Sequence, residues 1–588
     1  MIEAERSAAP DHDWNRRITR ECYGRQGAAE AWLFEGARAA PSPAERDAPA
    51  GLARMINLYA WCSFDVGATL CEWFDAEAPE VMQAMIEGDR ASIRRWGNGN
   101  AVAAPYHHVI LPLASERDRR TEIRWGIKDF TRRFGRAPEG FWFPECAVDN
   151  ESLEAVAAEG MRFTILAPYQ VHGIDGSGLP VRWRGKSGRE IIIVPYDGAL
   201  AGDVAFGGLL NDARALSHRL TPWEGRELDG PRCTTMATDG ETFGHHHHGG
   251  EATLAEAMSM LSRRTSSALT NTAALVATHD PVADITLESP SSWSCAHGVE
   301  RWRSNCGCRV DTSRPPAQQW RAPLRAAMNS LAERCRAVFE SEGRELFRTD
   351  PWEVRDAYGN VVAFDGDAIS GFVNAMVRAD ANASERQRAR ELLELSRASL
   401  RTFTSCAWFF DDVDRIEVRQ ALRYAARCIE LSGVAARLTP EYVDALGTAS
   451  SNAPGAVSAA EVFVRDAMPR HDPMLRAAAS FLALHLAGQA DTTLGAYEVL
   501  FTESASGASH MKVSHRRSGR SASFVGEAHG EGPATVLSLA IESSGSDSVT
   551  PVTPVTRVHL SELPDVVARK FLLGGATQDG AMLGEPVN

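Results

Sequence analysis

The chain has 588 residues, 44% hydrophobic and 24% charged, a globular composition with length for roughly two to four domains. Its 62 Lys and Arg against 77 Asp and Glu give a formal charge of -15 without a long basic run, which excludes nucleic acid as a favoured partner and suits neutral or weakly charged substrates. The opening MIEAERSAAPDHDWNRR lacks the features of a signal peptide, no stretch reaches about eighteen apolar residues, and the 11 cysteines are thinly spread, which together predict a cytoplasmic protein with reduced thiols and no membrane partner.

From about residue 100 to 280, short apolar runs alternate with helical patterns, as in βα units around a parallel sheet or barrel. SERDRRTEIRWGIKDFTRRFG reads as an amphipathic surface helix ending at Gly135. GFWFPE (140–145) reads as a buried strand, followed by the helix SLEAVAAEGM, opened by Asp149 or Asn150 and closed near Gly160. RFTILAP and EIIIVPYDG are predicted strands. CTTMATDG is another, with Asp239 at its carboxyl end; EATLAEAMSMLSRR is the helix after it, and TAALVATHD a later strand. Beyond 315, WRAPLRAAMNSLAERCRAVFE, ASERQRARELLELSRASLRTF and DRIEVRQALRYAARCIELSG predict helices packed together. YEVLFTES, ASFVGEA and ATVLSLAIES then predict strands, and the Ser/Thr/Pro-rich SSGSDSVTPVTPVT a loop. The expected division is an N-terminal segment (1–50), an α/β barrel (51–314), a helical domain (315–490) and a β-rich region (491–588).

In a parallel βα barrel the active site lies at the carboxyl face of the strands. Two carboxylates meet that description. Glu145 ends GFWFPE after Pro144, which cannot donate to the ladder, and Asp239 ends CTTMATD before Gly240. Glycosidic bond cleavage requires two such groups, although a single strand-end carboxylate more often caps the following helix. Trp142 and Trp293 offer ring faces to a sugar, with core packing as the alternative for each. In HHHH (245–248), neighbouring ligands on one short loop cannot all aim at one ion, and His247 and His248 are expected to face solvent. Cys295, His297, Cys306 and Cys308 fall in one short segment that could satisfy tetrahedral zinc. The alternative is reduced thiols in a loop with His297 near the pocket, and its C-x-H and C-x-C spacings are tighter than zinc sites usually show.

The motifs EGFWFPECAVD, YHHVILPL and TDGETFGHHH resemble three motifs of glycoside hydrolase family 57, and FTILAPYQ with SSWSCAHGVERWRSNCGC resembles a subgroup with a long helical extension. The resemblance spans about residues 12 to 480. It implies an incomplete (β/α)7 barrel with a helical domain over its mouth, and retaining action on oligosaccharide or polysaccharide α-glucans as hydrolase, 4-α-glucanotransferase or branching enzyme. No cofactor and no catalytic metal are expected. By the same resemblance Glu145 is the nucleophile and Asp239 the acid/base, with their carboxyls about 5 to 5.5 Å apart. His245, with His246 beside it, and His108 then contact sugar. No His-Gln-Pro-like motif precedes HDWNRRITRECYG, and FLLGGATQDGAMLGEPVN ends early, so the first barrel strand is expected to be missing and the chain to be a fragment. Two other readings are a catalytically inactive glycan-binding or regulatory homologue and a metal-dependent carbohydrate deacetylase, in which WFPE has no role. Linkage preference and oligomeric state are not encoded in any motif.

Overall fold

The computed structural model describes residues 14–32, 53–313, 316–364, 366–452, 457–468, 471–502, 508–542, 555–564, 567–568 and 570–572. Of the expected 543–556 loop, all but Val555 and Thr556 lie outside these residues, as do 1–13, 33–52 and 573–588. Residues 14–27 are helical and dock on the loop 240–247, where Gln26 donates to the Gly240 carbonyl at 2.7 Å.

Five successive segments run parallel and form one side of the α/β region among the described residues. Phe64 bridges Ala101, Ala103 bridges Phe141, Gly140 bridges Phe163, and the strand Phe163–Leu166 pairs along its length with Glu190–Pro195. Gly140 is required at its crossing, because a Cβ there would lie 2.3 Å from the Phe163 ring. The apolar run of Glu190–Pro195 suits a strand covered on both faces, and Ile191, Ile193 and Val194 are fully buried. Beyond it the sheet becomes mixed. Val181–Arg184 pairs antiparallel to Glu190–Pro195 and parallel to Asp284–Leu287, which takes Val171–His172 as its antiparallel neighbour.

Three local expectations change. TAALVATHD forms the helix Thr272–Thr278, not a strand: Asn271 caps it by accepting from the Ala274 amide at 2.7 Å, and a short apolar run cannot by itself separate the two states. CTTMATDG is extended but forms no ladder, since Cys233 and Thr235 each make one backbone bond to a neighbour, to the Ser177 carbonyl and from the Asp197 amide. The helix Glu116–Phe134, capped by Ser115 and closed at Gly135, is not a surface helix. Ile123 and Phe130 enter the α/β core while Trp125 enters the helical core, and its charges find partners across the interface: Asp118 pairs with Arg355 at 2.7 Å and Arg124 with Asp356 at 2.9 Å.

The helices Arg321–Leu346, Ala383–Arg401 and Ile416–Leu431 pack on one another as the centre of the helical region. The helix Pro473–Leu486, although helical in texture, shares its core with the C-terminal sheet, burying Phe481 and Leu482 against Met511, Phe524 and Leu539. That sheet is a six-stranded antiparallel meander running from Thr493–Leu494 to Thr556–His559. No helix among the described residues is long and apolar enough to cross a membrane.

A buried chain of charges joins the three parts. Glu72 of the α/β region accepts from Arg397 at 2.9 Å and from the Tyr106 hydroxyl; one turn before Arg397, Glu394 accepts from Tyr358 at 2.6 Å and from Arg517 at 2.9 Å. Arg517 lies in the turn between strands Ser509–His515 and Ser521–His529. Burial pushes the Glu72 carboxyl up, but the guanidiniums of Arg397, Arg401 and Arg517 outweigh it and take the pKa from 4.5 to about 2. Because the folded pKa is depressed, this stabilisation is complete above 4.5 and is lost as the pH falls toward about 2. Glu72→Gln is expected to lower stability at neutral pH by about 3 kcal/mol and to weaken its decline across that acid window. Melting temperatures measured against pH check both; identical profiles for the two proteins would contradict the assignment.

Candidate active site

Pro144–Cys146 forms a single tight turn at the carboxyl end of the GFWF segment. Glu145 and Cys146 occupy the left-handed region at φ 61° and 47°. Two consecutive non-glycine residues there cost about 1–3 kcal/mol each and persist only if their surroundings hold them. Residues 291–294 and Gln170 supply that restraint. Trp293 donates its amide to the Glu145 carbonyl at 3.0 Å, Val148 and Ser291 form an antiparallel bridge, and the buried Gln170 amide donates to the Cys146 carbonyl at 2.7 Å.

The same segment grips the Glu145 side chain. The Trp293 indole donates to Oε2 at 3.1 Å and the Ser294 hydroxyl donates to the same oxygen at 2.7 Å. No partner of Oε1 occurs among the described residues. Burial raises the Glu145 pKa and the charge of Glu241 adds to the rise, against the opposing pull of Ser294, Trp293 and Arg301. Arg301 is itself fixed by donating to the Ser294 carbonyl at 2.8 Å.

Asp239 stands at the end of the extended 233–238 segment, at the start of the turn Gly240–Thr242. Burial comes first among the influences on its carboxyl, followed by the charges of Glu145, Glu241 and Asp65, and together they push its pKa up to about 8. Its surface nevertheless reaches solvent. Asp65 is likewise raised, to about 7, by burial and by Glu241, whose carboxylate accepts from the Tyr23 hydroxyl at 2.9 Å. Asp65 lines a cavity of about 720 Å³ whose wall also includes Trp61, Trp142, Trp223, Thr238 and Gly240, the last two flanking Asp239 in sequence. Sequence reasoning passed over Asp65, Glu241 and Ser294. Asp65 carried the signal that singled out Glu145, since it directly follows the bridging residue Phe64.

Trp142 lines the cavity and meets Trp293 edge to face at 5.2 Å between ring centres. Trp293, expected as a sugar platform or a core residue, packs against the α/β core and also donates its N–H to Glu145. His108 also sits in the left-handed region, at φ 54°; its Nδ1 lies 2.7 Å from the Ser405 hydroxyl of the helical region, and burial lowers its pKa to about 3, leaving the ring neutral. His245 Nδ1 lies 2.6 Å from Glu21 Oε2, His246 is exposed, and His248 is exposed as expected. His247 departs from expectation: it is half-buried, with Nε2 2.9 Å from the Ala205 carbonyl, because the loop folds back on residues 198–205. His297 is brought to the cysteines, its Nδ1 3.5 Å from Cys308 Sγ.

Residues 39–287 match glycosyl hydrolase family 57, and residues 317–529 match a domain of unknown function, DUF3536. No curated protein matches the sequence. Among solved structures, the exo-type maltose-forming amylase from Pyrococcus sp. ST04 has the same fold, with a TM-score of 0.53 at 13% identity over 73% of this chain and 73% of that one. The branching enzyme from Thermococcus kodakaraensis (TM-score 0.41, 15% identity, 69% of this chain and 78% of that one) overlaps less closely. So does the α-amylase from Thermotoga maritima (TM-score 0.41, 12% identity, 69% and 89%). The matched residues 39–287 carry both Glu145 and Asp239, so the two carboxyls lie within the part of the chain that is similar to glycosyl hydrolase family 57.

Proposed function

We propose that this protein is a retaining α-glucan-active hydrolase or transglycosylase in which Glu145 is the nucleophile and Asp239 the acid/base. One arrangement carries the reading: Glu145 is fixed at the end of the GFWF segment with Trp293 and Ser294 both donating to its Oε2, while burial and the charges of Glu145, Glu241 and Asp65 raise Asp239 to about 8 and favour it as the carboxyl that holds a proton. Both donors to Glu145 converge on Oε2, which leaves Oε1 to attack the anomeric carbon. As that bond forms, Asp239 transfers its proton to the departing glycosidic oxygen. The resulting ester on Glu145 is neutral, so one of the charges holding the Asp239 proton is gone. Asp239 then takes a proton from water or a sugar hydroxyl as that oxygen attacks the anomeric carbon and displaces the Glu145 carboxylate, giving hydrolysis or transfer. Trp142 offers the cavity an aromatic wall against which a pyranose ring can lie.

Product analysis on amylose and maltooligosaccharides, with the anomeric configuration followed by NMR, tests the reading. Products of retained α configuration are expected. Tight oligosaccharide binding without turnover would instead identify a glycan-binding homologue, and release of acetate from acetylated glycans a deacetylase. Glu145→Gln and Asp239→Asn should each lower turnover by about 10²- to 10⁴-fold or more with unchanged circular dichroism. Azide should restore turnover in Glu145→Ala with inverted configuration; full activity in either carboxyl variant would remove it from its role.

Because Asp239 acts in its protonated form, kcat/KM should fall as the pH rises through about 8. The acidic limb belongs to Glu145, whose anion is stabilised by the Ser294 hydroxyl. Ser294→Ala should raise the Glu145 pKa, moving that limb toward higher pH while leaving the alkaline limb in place. A uniform drop in rate at every pH would show that Ser294 does not tune the carboxylate.

A further inference from the structure

Between the two matched regions lies a cluster that neither match covers. Cys295, His297, Cys306 and Cys308 each direct one ligand atom to a common point, all four within 4.8 Å of one another. Cys295 Sγ lies 4.0 Å from Cys306 Sγ and 3.7 Å from Cys308 Sγ, and His297 Nδ1 lies 3.5 Å from Cys308 Sγ. Zinc–sulfur bonds of about 2.3 Å and a zinc–nitrogen bond of about 2.0 Å at tetrahedral angles require sulfur–sulfur edges of roughly 3.8 Å and sulfur–nitrogen edges of roughly 3.5 Å. These three of the six edges have about those lengths, and the other three are no longer than 4.8 Å. We infer that Cys295, His297, Cys306 and Cys308 form a structural zinc site.

The surroundings agree with an anionic metal centre. Three thiolates and a neutral imidazole around Zn²⁺ carry one net negative charge, and the fully buried Arg321 lies against them, donating to the Cys308 carbonyl at 2.8 Å and approaching Cys306 Sγ at 3.9 Å. Its Nε has no hydrogen-bond partner among the described residues. Gly307, at φ 79°, makes the left-handed turn that lets the flanking cysteines face the same point. The C-x-C spacing is therefore no obstacle. Closed four-ligand coordination by soft sulfur and one imidazole suits zinc, and the exposed His297 edge leaves an entry path. The ion would staple residues 295–308; the residues just beyond it are held from the helical region by Asp411, which accepts from the Val310 and Asp311 amides. Ser294 and Trp293, the two donors to Glu145, immediately precede it.

The test uses the full chain, purified without a histidine tag under reducing conditions and reconstituted with zinc. About one zinc per chain is expected, with an X-ray absorption signature of three sulfurs and one nitrogen. The sulfur count separates this site from any ion held by the exposed histidines at 245–248. Cys306→Ser and Cys308→Ser should lose the ion; His297→Ala, an exposed position whose substitution spares the fold, should lower zinc retention against a chelator by at least tenfold. In the unmodified protein, chelation should expose Cys295, Cys306 and Cys308 to alkylation and lower the melting temperature. No bound zinc after reconstitution, zinc bound only through nitrogen or oxygen, or equal alkylation of the three cysteines with and without chelator would overturn the assignment. None of these readouts depends on glucan turnover.

Discussion

The geometry of the site depends on one restraint: holding Glu145 and Cys146 in a left-handed turn that neither residue favours. An unaided chain would relax at that point, taking the carboxyl with it. Here the turn is trapped between the 291–294 segment and Gln170, and its backbone and side-chain bonds come from the same residues. Trp293 binds Glu145 twice, through its amide and its indole. The folding energy of the surroundings thus supplies the cost of orienting the Glu145 carboxyl.

Electrostatics then divides the labour between groups of similar intrinsic acidity. Glu145 receives two directed hydrogen bonds and a neighbouring guanidinium, which favour its anion against burial. Asp239 is opposed by three carboxyls, and no hydrogen bond or cation offsets them in its balance. Desolvation acts on both in the same direction, so the difference between them comes from who their neighbours are. Asp65 and Glu241 matter here as sources of field, whether or not either touches a substrate.

The helical region contributes to the same geometry from outside. Arg301 hydrogen-bonds Ser294 on one side and the Phe409 carbonyl on the other, and Ser405 faces His108, so the segment that grips Glu145 and the loop of His108 are each anchored from the helical region. The Glu72–Arg397 and Glu394–Arg517 pairs extend this anchoring into the C-terminal sheet. Such buried pairs are costly to break singly, which makes the relative placement of the three parts specific. A zinc ion between Cys295 and Cys308 would add a further fastening where the α/β and helical regions meet.

Local signals in the chain were enough for much of this. Periodicity marked the helices Glu116–Phe134 and Ala383–Arg401, and the cap at Asp149 marked Asn150–Ala158, because a cap and an apolar stripe act within a few residues. Strand-end logic and motif resemblance singled out Glu145 and Asp239 and the family that residues 39–287 match. The fate of TAALVATHD was not legible, since seven apolar-rich residues satisfy either state until a neighbour claims them. Nor was the burial of helix 116–134, whose charges look solvated until Arg355 and Asp356 arrive from more than two hundred residues away. The partners of Glu145 and the tetrahedral closing of Cys295, His297, Cys306 and Cys308 were decided only by the tertiary structure. Residue types and spacing determine which chemistry is available, whereas a hydrogen bond or a metal edge exists only when atoms are brought within about 3–4 Å, and that depends on the path of the whole chain.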